Sequence, residues 1–226
     1  VERQAAHFAH AFTTVSDVTA AEYTQLLEKT PDVVTPNGFE ADFVPKGELF
    51  EKKRAAARKK LLHIASVLVG YEAPDDAVLI ATSGRYEFKN KGIDMYVDAL
   101  NRLRLHYDGE REIIAFVLVP AWVNEPRADL LERLASGESY RTPLPDPYIT
   151  HTLHNMAEDK VVNQIRYCGF PQKPESKLKI IFVPSYLTGN DGIVDLTYYD
   201  TLIGFDATAF PSYYEPWGYT PLESIA

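Results

Sequence analysis

The chain has 226 residues, of which 46% are hydrophobic and 24% are charged, and its net charge is −9. This composition is typical of a folded protein with a buried core. The acidic balance argues against a nucleic-acid partner held by phosphate contacts. No apolar run approaches the roughly 20 residues that span a bilayer.

Cys168 is the single cysteine. An intrachain disulfide is therefore ruled out, which is usual in a reducing cytosol, and we expect a cytoplasmic protein. The chain begins Val1-Glu2-Arg3 without Met and ends at Ala226 in what resembles the first turn of a helix. These ends predict a fragment of a longer protein.

The first third of the chain predicts short strands, helices and one turn. In order, these are a strand at 12–15, a helix at 16–27 capped by Ser16, a strand at 32–35, a turn at 36–38 and a helix at 49–69. Six basic residues between 52 and 60 predict a solvated face on the last helix rather than a polyanion site.

The rest of the chain alternates apolar runs with helical patterns. Near-continuous apolar runs predict strands buried on both faces, hence a parallel sheet in an α/β fold. The runs lie at 77–81, 113–121, 179–183 and 202–210, and helical spacing occurs at 93–105, 130–134 and 161–165.

Residues 84–92 lie between a predicted strand and a predicted helix. Ligands of open α/β sheets bind at the carboxyl ends of strands, beside helix N-termini. Arg85 and Lys91 are cations that could hold a diphosphate there, while Gly84 and Gly92 would let the backbone approach it. Because the spacing is not that of a P-loop, a solvated loop with ordinary charges is the alternative.

Residues 211–223 follow the last predicted strand. Thr220 and Glu223 have the spacing of a capping box, with Pro221 at the first helical position. The open helix N-terminus would direct its N–H groups at an anion, and Glu215 and Glu223 would face different parts of one ligand. Alternatively, Glu223 only caps the helix and the nearby aromatic residues only pack.

Five blocks occur at residues 12–16 (FTTVS), 31–38 (PDVVTPNG), 84–92 (GRYEFKNKG), 154–156 (HNM) and 212–221 (SYYEPWGYTP). In sequence and in order, they resemble family 3 glycosyltransferases, the animal and fungal type of glycogen synthase. The resemblance covers nearly the whole chain. It implies a GT-B fold, in which two Rossmann-like domains face each other across a cleft.

Under that resemblance, residues 1–38 would be the tail of the N-terminal, acceptor-side domain and the hinge. Residues 39–226 would be the nucleotide-sugar-binding C-terminal domain, a Rossmann-like unit with a parallel sheet, truncated at its C-terminal end.

The resemblance also implies roles for single residues. In the family, the residues that match Arg85 and Lys91 hold the diphosphate of UDP-glucose. Those matching Glu215 and Glu223 contact the sugar and the ribose side, and we expect Glu215, Arg85 and Lys91 to be the catalytic set. The other donor-binding residues expected are Arg3, Asn37, Gly84, Tyr214, Trp217, Gly218, Tyr219, Thr220 and Glu223.

The implied function is retaining transfer of glucose from UDP-glucose or ADP-glucose to the non-reducing end of an α-1,4-glucan such as glycogen. Cations and helix N–H groups could stabilise the departing nucleotide. No Asp-x-Asp pattern or His cluster suits a divalent ion, so we expect no metal and no other cofactor. The expected partners are the nucleotide sugar and the glucan, and the sequence leaves homo-oligomer formation open.

Two departures from the family indicate a bacterial branch. Val183-Pro184-Ser185-Tyr186 replaces the family's His-Pro-Glu-Phe stretch, and the region 120–168 is shorter than in animal and fungal members. Two other functions compete. One is a nucleotide-sugar-binding fragment that is not catalytic by itself. The other is a glycoside hydrolase with Glu215 and Glu223 as its carboxylates, which a helix-capping Glu223 disfavours.

Overall fold

The computed structural model describes residues 1–137 and 141–226, which form two compact units. One unit consists of Val1–Phe43 together with Tyr214–Ala226, and the other of Val44–Tyr213. These units divide after Phe43, whereas the sequence predicted a domain boundary after residue 38. The assignment of the two parts to the halves of a GT-B enzyme stays a prediction.

The described residues contain the following helices and strands in chain order. They are α1 (Glu2–Phe8), β1 (Thr13–Thr14), α2 (Asp17–Leu26), β2 (Val33–Val34), α3 (Glu48–Val69), β3 (Val78–Ser83), α4 (Ile93–His106), β4 (Ile113–Leu118), β5 (Val123–Pro126), α5 (Ala128–Ser136), β6 (His151–Leu153), α6 (Lys160–Cys168), β7 (Leu178–Val183), α7 (Tyr198–Leu202), β8 (Ala207–Thr208) and α8 (Tyr219–Ile225).

The smaller unit contains β1 and β2, which pair in parallel. Ser16 caps α2 as predicted, because its hydroxyl accepts from the Thr19 N–H at 3.3 Å and completes a capping box. The turn predicted at 36–38 is wrong: residues 35–40 contain no turn or bend. The Thr35 N–H donates to the Thr14 carbonyl at 2.7 Å, which continues the pairing of β1 and β2 by one residue.

The larger unit is built on a four-stranded sheet in the order β7-β4-β3-β8, with every neighbouring pair parallel. This confirms the predicted α/β class and parallel sheet. Alternate residues of β4 face opposite sides. Ile114, Phe116 and Leu118 pack with α3 and α5. Ile113, Ala115 and Val117 pack with α4 and α6.

The run 202–210 was predicted as one strand and is only partly so. Leu202 ends α7, and β8 is limited to Ala207–Thr208. The Thr197 hydroxyl starts α7 by accepting from the Asp200 N–H at 3.2 Å. Phe205 packs in the core from the intervening turn. The apolar run therefore reports burial rather than strand structure.

The basic face of α3 is not uniformly solvated, so that prediction is wrong for Arg54 and Arg58, whose side chains are 26% and 17% exposed. Lys53 pairs with Asp200, and Arg54 and Arg58 both pair with Asp206. Across the described part of the chain, no helix combines the length and apolarity needed to cross a membrane.

Candidate functional site

The segment 84–92 lies where the sequence predicts. It connects Ser83, the last residue of β3, to Ile93, the first residue of α4. Since neighbouring strands of the sheet are parallel, their carboxyl ends meet at one edge, and this loop lies at that edge.

Glu87 organises the loop from within. Its carboxylate lies 3.0 Å from the Arg85 guanidinium and accepts from the Asn90 side-chain amide at 2.8 Å. Its backbone carbonyl accepts from the Lys91 N–H at 2.8 Å. The Arg85 side chain is 77% exposed, so Glu87 orients a cation that a ligand can still reach.

The two glycines of the loop have different roles. At Gly84, where φ is 146°, an added Cβ would meet only the Lys91 Cδ, at 3.9 Å. The Lys91 side chain thus lies beside an open backbone, as a ligand-binding loop requires. At Gly92, where φ is 62°, an added Cβ would lie 1.8 Å from the Pro211 carbonyl oxygen. Gly92 is therefore required by packing.

The same contact joins this loop to the segment after β8. The Tyr213 N–H donates to the Asn90 carbonyl at 2.9 Å, next to the close approach of Gly92 and Pro211. Residues 211–213 lead in sequence into residues 214–223. Those residues belong to the other compact unit, and their convergence with Arg85 and Lys91 on one ligand stays a prediction.

The capping box predicted at Thr220 is wrong. α8 begins at Tyr219, its N-cap is Gly218, and no side chain caps it. The Glu215 side chain folds against Gly218, where an added Cβ would meet the Glu215 Cγ at 3.0 Å. This packing favours a residue without a side chain at the N-cap, so Thr220 and Pro221 lie inside the first turn.

Three aromatic residues of the predicted donor site have distinct environments. The Tyr214 hydroxyl donates to the Glu22 carboxylate at 2.5 Å, and this bond raises the pKa of Tyr214. The Tyr219 hydroxyl lies 3.5 Å from the Gly38 carbonyl oxygen. The Trp217 indole N–H is buried and has no acceptor among the residues described. Because buried donors are rarely left unpaired, Trp217 is suited to donate to a ligand.

Arg3 and Asn37 were predicted to contribute from the N-terminal part of the chain. The Arg3 guanidinium pairs with the Glu28 carboxylate on the same unit, where both side chains are exposed. Asn37 is exposed in the segment after β2. The roles of both residues in donor binding stay predictions.

A pocket that the sequence analysis missed lies at the same edge of the sheet. It has a volume of about 410 Å³ and is lined by residues of loop 84–92, by the residues that follow β4, and by the chain around the start of α6. Two signals pointed to it: the block at 154–156, and Trp122, which closely follows a buried strand. In residues 1–137 and 141–226, no group of three or more His, Cys, Asp or Glu side chains could hold a metal ion.

Comparison with known proteins shows one family. A sequence model of the family described as glycogen synthase matches residues 1–139 and 138–226. Similar curated proteins include glycogen [starch] synthase of Neurospora crassa, at 30% identity, and isoform 2 of Saccharomyces cerevisiae, at 32%. The liver glycogen [starch] synthase of Homo sapiens is 28% identical.

These alignments cover 99% of this chain but only 39–40% of each relative. The chain thus spans about two fifths of the length of the curated relatives it matches. The Neurospora alignment runs over 279 positions, more than the 226 residues here, so that relative carries segments with no counterpart in this chain. The family match breaks at 138–139, inside the region predicted to be shorter.

Proposed function

Because the chain belongs to the glycogen synthase family, we propose that it forms the nucleotide-sugar-binding part of a retaining glucosyltransferase. The enzyme would transfer glucose from UDP-glucose, or ADP-glucose, to the non-reducing end of an α-1,4-glucan. Its fold would be GT-B, with the parallel sheet of Val44–Tyr213 as the core of the C-terminal domain. The single cysteine favours a cytoplasmic location.

The observation that carries the proposal is the loop at the end of β3. Arg85 is exposed and aligned by Glu87, and the Lys91 side chain runs beside the open backbone of Gly84. Breaking a glycosyl–phosphate bond leaves negative charge on the departing nucleotide. Positioned cations stabilise that charge as it develops, and a guanidinium offers paired donors to phosphate oxygens. With these cations, the proposed reaction needs no metal ion or other cofactor.

The remaining residues would bind the other parts of the donor. Glu215 would contact the sugar and Glu223 the ribose side. The buried indole N–H of Trp217 would donate to a donor oxygen, which gives this unpaired group a partner. Retention would follow from front-face attack by the glucan hydroxyl, assisted by the leaving phosphate.

Calorimetric titration with UDP, ADP and their glucose conjugates tests the site. We expect Arg85→Ala and Lys91→Ala each to weaken binding about tenfold or more, since each removes a charge-assisted contact to phosphate. Lys89→Ala is the matched control, because Lys89 lies in the same loop, is 76% exposed and pairs with Asp94. If neither Arg85→Ala nor Lys91→Ala weakens binding, the assignment is wrong.

Activity measurements on the purified chain test whether it binds the donor without being catalytic by itself. We expect the chain to bind UDP but to transfer no glucose, because a GT-B site needs both domains to hold donor and acceptor together. Measurable transfer of labelled glucose to glycogen by this chain alone would contradict that expectation.

A further inference from the structure

The pocket beside loop 84–92 is separate from the proposed diphosphate-binding site at Arg85 and Lys91. Its volume of about 410 Å³ lies within the range of small-molecule sites. Tyr86 and Phe88 line it from the loop, but neither Arg85 nor Lys91 does. All its lining residues belong to the unit Val44–Tyr213.

One wall of the pocket is aromatic and apolar. Trp122 lines it with 73% of its surface exposed. Its ring is held at 4.9 Å from the His154 ring, and its carbonyl accepts from the His154 N–H at 3.1 Å. A large aromatic side chain that is fixed yet exposed at a pocket is a platform for a ligand with an apolar face.

Another part of the lining is polar and ordered. The Asn155 side-chain amide donates to the Glu158 carboxylate at 2.6 Å, and both residues are exposed. Asp159 accepts from the Val162 N–H at 2.9 Å and from the Tyr86 hydroxyl at 2.6 Å. Asp159 thereby joins the start of α6 to Tyr86 of loop 84–92. An amide and a carboxylate side by side offer the donors and acceptors that hydroxyl groups use.

The charges of the lining residues favour an uncharged ligand over an anionic one. The lining residues include two acidic residues, Glu158 and Asp159, and one basic residue, Lys160. A phosphate-bearing ligand would meet net negative charge, whereas a neutral polyhydroxyl ligand would not. An aromatic platform together with hydrogen-bonding side chains suits a sugar ring, which has an apolar C–H face and hydroxyl groups around its rim.

We propose that this pocket binds a glucose unit of an α-1,4-glucan, next to the loop that grips the donor diphosphate. The neutral-sugar class follows from the pocket itself, and the choice of an α-glucan rests on the proposed function. Trp122 would stack on the sugar ring, and the Asn155–Glu158 pair would bind its hydroxyl groups.

Titration of the 226-residue chain with maltoheptaose tests this proposal. We expect Trp122→Ala to weaken maltoheptaose binding about fivefold, which is the scale of one aromatic stacking contact. Glu158→Gln, which keeps the shape but removes the charge, should also weaken it. Tyr167→Ala is the matched control, because Tyr167 is a 91% exposed aromatic residue outside the pocket lining. Equal thermal unfolding temperatures would show that the variants are folded.

The outcomes separate this proposal from the proposed function. UDP titration should respond to Arg85→Ala and not to Trp122→Ala, and maltoheptaose titration should show the reverse. No maltoheptaose binding, or binding that Trp122→Ala leaves intact, would overturn the pocket assignment while UDP binding stands. Equal binding of a β-1,4-linked glucose oligomer would overturn the choice of an α-glucan. If Arg85→Ala leaves UDP binding unchanged while Trp122→Ala weakens maltoheptaose binding, the proposed function is overturned and the sugar pocket stands.

Discussion

At Gly92, backbone geometry and packing both require the absence of a side chain. Its φ of 62° is one that other residues rarely adopt, and the Pro211 carbonyl oxygen occupies the place of a Cβ. The approach joins the loop that carries Arg85 and Lys91 to the segment after β8. The lack of a side chain at Gly92 therefore allows loop 84–92 to pack against Pro211.

Gly92→Ala should destabilise the protein by about 3 kcal/mol or more, because it combines backbone strain with overpacking. Gly137→Ala is the control: Gly137 has a φ of 65° but nothing within 4 Å of an added Cβ. It should cost only about 1 kcal/mol. Urea unfolding at neutral pH measures both costs, and equal values would show that the contact with Pro211 is unimportant.

Among the elements, α3 does more than cover one face of the sheet. Arg54 and Arg58 donate to the Asp206 carboxylate at 2.7 and 2.8 Å, and the same carboxylate accepts from the Leu79 N–H at 2.9 Å. Asp206 immediately precedes β8, so these bonds hold the short edge strand against β3. β8 in turn leads to the segment that contacts loop 84–92.

Asp206→Ala should cost about 2 kcal/mol, because it removes the carboxylate acceptor shared by two partly buried guanidinium groups and a backbone N–H. Asp200→Ala, which removes the more exposed pair with Lys53, should cost less than about 1 kcal/mol. Urea unfolding of both variants gives the comparison. Similar costs would mean that Asp206 does not hold β8 in place.

The cost of Asp206→Ala should also depend on pH. Burial alone would raise the pKa of Asp206, but the Leu79 N–H and the arginines outweigh it and hold this pKa below its ordinary value of 3.8. The stabilisation is therefore fully present above pH 3.8 and is lost as pH falls through the lowered, folded-state pKa. The difference in unfolding free energy between Asp206→Ala and the unchanged chain should therefore become smaller as pH falls from 3.8 through the folded-state pKa of Asp206.

For the molecule as a whole, the hydrophobic core lies within one of the two compact units. Both clusters of buried core residues fall inside Val44–Tyr213. Arg85 and Lys91, which are predicted to bind the diphosphate, belong to that unit. Glu215, Glu223 and Arg3 belong to the other. The residues predicted to bind the diphosphate therefore belong to one unit, and those predicted to bind the sugar and the ribose side belong to the other.

A shortened chain of residues 44–213 should fold by itself, because it keeps the sheet and both core clusters. We expect it to bind inorganic diphosphate as tightly as the 226-residue chain does, and UDP-glucose more weakly. Circular dichroism and calorimetry measure folding and binding. A shortened chain that does not fold, or that binds UDP-glucose undiminished, would contradict this division of roles.

Sequence periodicity was enough to locate the strands β3, β4 and β7 and the helices that flank them, because apolar spacing is a local consequence of burial. The family could be recognised because its blocks are contiguous in sequence. Ser16 could be predicted as a cap because its partner, Thr19, is three residues away.

Tertiary structure alone decided the features that join distant residues. Arg58 is bound to Asp206, far along the chain, instead of facing solvent. Trp122 and Glu158 line one pocket because the fold brings the ends of β4 and the start of α6 together. Such contacts leave no periodic signal, since each depends on the packing of elements separated by many residues.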